Sequence, residues 1–289
     1  MKNILTALLL SISILSFGQT TMNIYQSNGT TVNLPVSTID SVNFTTTPPP
    51  SRMNIYQMGG GIISIVIANI DSITYTVQGT SSGGIISNPG AGVIFNGYTY
   101  NSIVLGNGQE WMSENLRTTN YANGESIYNV TDGSQWENRT TGAWAHYNNN
   151  IQYEYPFGKL YNWYTVVDPR NVCPTGWHVP TDTEWTVLID YLGGDSIASG
   201  KMKSVGTQYW QNPNYGATNE SGFTAEPGGS RSFNDGIFEF YGAFGSFWSS
   251  TEDSTSSRGV GYSLDYNDTS VYRGTRPKPS GSSIRCIRD

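Results

Sequence analysis

Cysteine is nearly absent: the 289 residues hold two, Cys173 and Cys286. Histidine is as scarce, with His146 and His178 alone. Metal binding by the two cysteines alone is not expected, because a structural zinc takes four ligands. Charge is sparse too. Only 13% of residues are Asp, Glu, Lys or Arg, and the formal balance is −7. With no basic stripe to neutralise phosphates, nucleic acid and anionic membranes are excluded as partners. Beyond the N-terminus no apolar run approaches the roughly 18 residues of a membrane helix. No G-x-S-x-G elbow, H-E-x-x-H pair or P-loop occurs.

What is present begins with MKNILTALLLSISILSFGQT. Lys2 supplies a basic start, Ile4 to Phe17 a short apolar stretch, and Ser16, Gly18 and Gln19 a small, polar exit. This is signal-peptide grammar over residues 1–19, so the chain is expected to be exported, secreted or held at the cell surface. No cysteine follows the apolar stretch, so a lipid anchor is not expected. Gly (33), Tyr (19) and Trp (8) are abundant, which suits a loop-rich extracellular protein packed on aromatic rings. Outside the cell cysteines pair. One bridge, Cys173–Cys286, is therefore expected, worth about 4–5 kcal/mol in the chain-entropy model; the alternative is two buried thiols.

An internal repeat stands out. MNIYQSNGTTVNLPVSTIDSVNF starts at Met22 and MNIYQMGGGIISIVIANIDSITY at Met53. Both MNIYQ and IDS recur at one offset, 31 positions (22 to 53, 40 to 71), so nothing is inserted between the copies. Each copy reads as a hairpin with a Gly-containing turn, and IDS marks the turn into a third short strand. Val32, Leu34 and Val36 are expected on one face. One copy alone hardly buries a core, so the copies should pack on each other, on the remaining chain or on a second molecule, with self-association possible. The expected organisation is repeat 1 over 20–47, a Pro-rich linker over 48–52, repeat 2 over 53–77, a Gly/Ser linker over 78–92 and one domain over 93–289.

In that domain an Asn96-Gly97 turn interrupts strand-like residues 95–105, and a short helix is expected over 111–116. Residues 158–168 carry Leu160, Trp163 and Tyr164 at helical spacing. The clearest helix spans 181–192. Thr181 and Glu184 form a capping box, and Trp185, Leu188, Ile189 and Leu192 line one face. A further helix is expected over 196–203. Short strand-like pieces follow (SFWSST, GYSLDY, SVYRG, SIRCIRD), giving an α+β order.

Five pieces in order, NGYTYNSIVLGNGQEWMSENLRTTNYANG, FGKLYNWYTV, CPTGWHVPTDTEW, GFTAEPGGSRSFNDGIFEFYGAFGSFWSSTE and GSSIRCIRD, resemble the Fibrobacter succinogenes major paralogous domain (FISUMP) over 93–289. That resemblance implies an exported bacterial protein. The repeats resemble a short motif near the N-termini of exported proteins of Bacteroidetes-type bacteria. More distantly, P-T-x-x-E-W, G-G-S and R-C-x-R-D look like the formylglycine-generating branch of the C-type-lectin-like fold. The resemblance implies terminal strands lying side by side, two main helices, a ligand surface on long loops, and Cys173 next to Cys286.

Both chemistries of that fold lack their ligands here. No cysteine lies between Cys173 and Cys286, and the three-histidine iron site is missing. His178 is read as a structural residue and His146 as exposed and, without partner ligands, no metal ligand. No enzyme is therefore expected, and no cofactor. Calcium is possible at Asp265 and Asp268 with Glu252 and Asp253. Glu220, Glu226, Asp235 and Glu239 offer carboxylates for glycoside hydrolysis, a weak signal that any globular domain gives. Trp248, Leu264 and Val271 are assigned to the core. Asn234, Asp235, Phe238, Tyr241, Asp265, Asn267, Asp268, Tyr272 and Arg273 are expected on the surface as ligand-binding residues, since Tyr, Asn and Asp make adaptable recognition faces. The expected function is a non-enzymatic binding protein for a glycan or protein ligand. The alternatives are a structural or adhesive surface component and a polysaccharide hydrolase.

Overall fold

The offset of 31 residues in the sequence becomes a symmetry in space. The computed structural model describes residues 19–28, 30–35, 39–45, 52–57, 62–78, 85–254 and 257–289. Apart from Gln19, the expected leader lies outside these, as do Val36 and residues 48–51 of the Pro-rich linker. The chain divides into two compact units, Met1–Gly84 and Ile85–Asp289.

The first unit contains β1 (Gln19–Gln26), β2 (Thr31–Pro35), β3 (Ile39–Thr45), β4 (Arg52–Gln57), β5 (Ile62–Val66) and β6 (Ile70–Gln78). Repeat 1 supplies the first three and repeat 2 the last three. The sheets do not follow the repeats: their orders are β2-β1-β6 and β3-β4-β5. Each repeat keeps its hairpin and gives its third strand to the other. Ile24 pairs with Ile73 and Ile55 with Val42, which are equivalent pairs under the offset. IDS opens the third strand rather than forming the turn before it. The ladder skips one residue in each copy, Asp40 and Asp71, so the recurring Asp marks a β-bulge, which locally bends and twists its strand. Met22, Ile24 and Leu34 are buried with their equivalents Met53, Ile55 and Ile65 in one core, joined by Ile39. The copies therefore pack on each other.

The second unit is a mixture of helix and strand, with mostly small antiparallel sheets and few helices. Its largest sheet has the order 177–178, 287–288, 110–112, 102–105, 87–89, so both ends of the unit meet there. Residues 87–89 belong to this sheet by pairing with 103–105, not to a linker. The helix expected over 111–116 is instead the strand Glu110–Met112. Alternation explains why: Trp111 enters one core and Met112 the other, which only an extended backbone allows. Phe247 and Trp248 divide the same way, as do Ile287 and Cys286.

The capped helix forms as its sequence dictates. It spans Asp182–Tyr191, with Thr181 and Glu184 closing a reciprocal capping box. Trp185, Leu188 and Ile189 are buried against Trp111 and Phe247. A second helix, Asp195–Met202, follows. Over 158–168 helix exists only at Trp163–Val166, because Leu160–Tyr161 pair as a strand with Ala143–Ala145 and Asn162 caps the turn after them. Cys173 and Cys286 form a disulfide, with Cα atoms 6.0 Å apart across 113 positions. Trp248, Leu264 and Val271 are buried. Three antiparallel strands, Phe244–Glu252, Arg258–Asp265 and Val271–Pro277, complete the unit.

Candidate functional site

Two adjoining cavities of about 340 and 320 Å³ share Tyr98 and Arg117 as common walls. The Asn96-Gly97 turn, at φ +49° and +80°, folds back into the strand Tyr98–Tyr100 and presents Tyr98. The stretch 113–117 brings Glu114 and Arg117 against it. Residue 158 must approach this stretch closely: a Cβ there would meet the Leu116 carbonyl at 2.7 Å, so glycine alone fits, at φ +73°. That approach aligns Lys159 N–H with the Leu116 carbonyl (3.0 Å) and carries 153–159 to the cleft.

Arg117 is the hinge between the cavities. Its guanidinium donates to the Tyr98 hydroxyl (2.5 Å) and to Glu114 Oε2 (3.0 Å). It lies over the Tyr98 ring at 4.5 Å and the Tyr155 ring at 4.9 Å. Its buried Nε has no hydrogen-bond partner among the described residues. Burial, then the bond to Glu114, pushes the Tyr98 hydroxyl up to about 12, so it is a neutral donor. In the first cavity Lys159 reaches Glu154 and the Arg117 carbonyl (2.7 Å) and sits 4.9 Å from the Trp144 ring. His146 Nε2 is 2.7 Å from Glu154 Oε2. Burial raises Glu154, but the bonds from Lys159 and His146 outweigh it and hold the carboxyl below its usual range. His146 is therefore not exposed, contrary to the expectation from the sequence. Its side chain is 11% accessible, because the Ala143–Ala145 strand turns it inward beside Trp144.

The second cavity is lined by Tyr155, Tyr209, Asn101, Glu114 and Glu226 besides the shared residues. Glu114 is fully engaged: one oxygen accepts from Asn101, the other from Tyr98 and Arg117. Glu226 is buried with one neutral donor, Ser204 Oγ at 2.9 Å. Burial pushes it up to about 7, against the weaker pull of Ser204 and Arg285. From Tyr209 an aromatic ridge continues through Phe157 (5.5 Å) to Tyr241 (5.0 Å), Tyr153 and Tyr147.

The nine surface residues expected from the sequence fall into two groups with separate partners. Tyr241 lies on the aromatic ridge, and Phe238 joins it by packing on Tyr147. Asn234 and Asp235 are exposed on the adjoining turn. The second group surrounds the two main helices. Arg273 pairs with Asp182 at 2.7 Å, Tyr272 donates to Asp268, and Asn267 is exposed. The buried Lys203 ammonium donates to the carbonyls of Asp265 (2.7 Å), Asp268 (2.7 Å) and Tyr215 (3.0 Å). A calcium using these carbonyls would have to displace that cation. Among the described residues no group of three His, Cys, Asp or Glu is arranged to hold a metal. Of the four carboxylates named for hydrolysis, Glu226 alone lines either cavity. His178 is held between Asp289 (2.6 Å) and Glu184 (2.9 Å), the structural role assigned to it.

Sequence reasoning missed Tyr98, Arg117, Glu154, Tyr155 and Lys159. The dense NGYTY and QYEYPFGK stretches were the available signal. A family model described as the Fibrobacter succinogenes major domain matches residues 104–288. No curated protein matches the chain, and no solved structure does.

Proposed function

The chain belongs to the Fibrobacter succinogenes major domain family, and we propose that it is an exported, non-catalytic binding protein that takes a neutral glycan in the Tyr98–Arg117 cleft. On this reading residues 1–19 are a cleaved leader, and the second unit is a C-type-lectin-like domain working without calcium. The cleft itself carries the reading. Four of its ions are mutually paired, Arg117 with Glu114 and Lys159 with Glu154, and Glu226 is held largely neutral below about pH 7 by burial, so the cleft offers little net charge to select an ionic ligand. What it offers is exposed ring area on Tyr155 beside the hydroxyl, amide and carboxyl groups of Tyr98, Asn101 and Glu226. Apolar faces with a few fixed polar groups are how small-ligand sites orient their guests. Sugars present such alternating faces.

One observation favours a second reading, a polysaccharide hydrolase: Glu114 and Glu226 line the same cavity, and burial keeps Glu226 protonated to near neutrality. Paired carboxyls in different states are the glycosidase arrangement. Binding is preferred because both oxygens of Glu114 are already spent on donors, which leaves it poorly placed to attack carbon or activate water. Incubating the protein with a polysaccharide panel separates the readings. Retention without new reducing ends supports binding. Reducing ends that vanish in Glu226→Gln would establish hydrolysis instead.

A further inference from the structure

Glu226 stands two residues beyond a strained one. Thr224 is β-branched yet holds φ +52°, a conformation that persists where its surroundings over-determine it. Here they do. Asn219 accepts from the Thr224 N–H (2.8 Å) and donates to its hydroxyl (3.0 Å), and Arg285 donates to its carbonyl (2.7 Å). Thr224 and Glu226 line the second cavity together. Glu226 is only 6% exposed. Ser204 Oγ donates to its Oε2 (2.9 Å). Its Oε1 takes no hydrogen bond among the described residues, which leaves that oxygen to the cavity.

The charges around this carboxyl are engaged elsewhere. Arg285 attracts it, but the guanidinium is bonded to Asn115 and to the carbonyls of Met112, Phe223 and Thr224. Arg117 and Glu114, in the same cavity wall, are paired with each other. Lys203, beside Ser204, is bonded to the carbonyls of Tyr215, Asp265 and Asp268. The phenols of Tyr98, Tyr155 and Tyr209 complete the wall. Burial, against the pulls of Ser204 and Arg285, therefore keeps the carboxyl protonated up to about pH 7. Since Oε2 accepts from Ser204, the proton belongs on Oε1, the oxygen that faces the cavity. A site that stabilises the acid over the carboxylate is suited to a partner that accepts.

We propose that Glu226 is the specificity-determining donor of the cleft: its Oε1–H binds a ring or bridging oxygen of the glycan, an atom with no hydrogen of its own, and loss of that proton to water releases the glycan. This rests on the glycan reading of the cleft and adds the atom that is recognised and the condition for release. An ionised carboxylate is acceptor-only, so two acceptors would then face each other in a buried place. Only the protonated fraction of the protein binds, and apparent affinity scales with that fraction.

The test is retention of soluble glucan, xylan and mannan by the full chain across this pH range, with near-ultraviolet circular dichroism at each pH to confirm the fold. From about pH 6 to about pH 8 the wild type should lose roughly tenfold in affinity for the polymer it holds. In Glu226→Gln, Ser204 donates to the amide oxygen and the amide NH2 faces the cavity, a donor that does not titrate. Its retention should show no such slope. Tyr155→Ala should weaken retention at every pH and leave the slope in place. Wild-type affinity that is flat or rises with pH overturns the inference and leaves the glycan reading standing, as does a slope that survives in Glu226→Gln. No retention of any of the three polymers at any pH overturns both.

Discussion

Glu226 shows how one residue's environment sets a measurable property. It is buried with a single hydroxyl partner, and burial lifts it to about 7. Its folded value lies above its unfolded one, so its contribution to stability is whole below the unfolded value and is lost as pH rises through the folded value. Stability should therefore fall from about pH 5 to about pH 7 by a few kcal/mol, of order 3. Glu226→Gln should flatten that slope in denaturant titrations at stepped pH; a wild-type slope unchanged in the variant would contradict the assignment. Residues whose role is local were legible in the sequence. Thr181 and Glu184 announced a capping box, and the scarcity of cysteine left one bridge to expect. Arg117 was not legible, because Tyr98, Glu114 and Tyr155 define its role and folding alone brings the three together. His146 was misread for the same reason: its partner, Glu154, lies across a turn.

Elements sort along the same line. The helix Asp182–Tyr191 was readable because period, cap and stop all lie within its own residues. Thr181→Ala should cost about 1 kcal/mol, read as a lowered denaturation midpoint with the fold kept. An unchanged midpoint would mean that the box contributes nothing. The strand Glu110–Met112 was misread as helix although one partner, 102–105, lies just before it across the Asn107-Gly108 turn; its second partner, Ile287, is out of reach of any local window. In the first unit the repeats gave the hairpins, while the exchange of third strands appears only in the register. The cleft is the extreme case, since its walls come from short irregular stretches with no period to detect.

At the scale of the molecule, two units meet different needs. The first builds a small core by pairing two halves. The second closes its ends into one sheet, with Cys173–Cys286 holding the last strand in place. Replacing both cysteines by serine should lower the stability of the protein by about 4 kcal/mol through release of the long loop. Equal midpoints in the wild type and this variant would show that the bridge does not constrain the unfolded chain. Among the described residues no helix is long and apolar enough to cross a membrane.

The central claim is that the Tyr98–Arg117 cleft holds a neutral glycan. The most direct measurement is retention of the full chain on an immobilised glycan and polysaccharide panel, with calcium and with chelator, beside Tyr155→Ala and Tyr272→Ala. Stacking on an aromatic face is worth about 0.5–1.5 kcal/mol, so Tyr155→Ala should weaken retention by roughly two- to tenfold. Tyr272→Ala and the chelator should leave retention unchanged. Loss with Tyr272→Ala or with chelator, while Tyr155→Ala binds normally, would place the ligand at the acidic turn. A panel that retains nothing would contradict the glycan reading altogether.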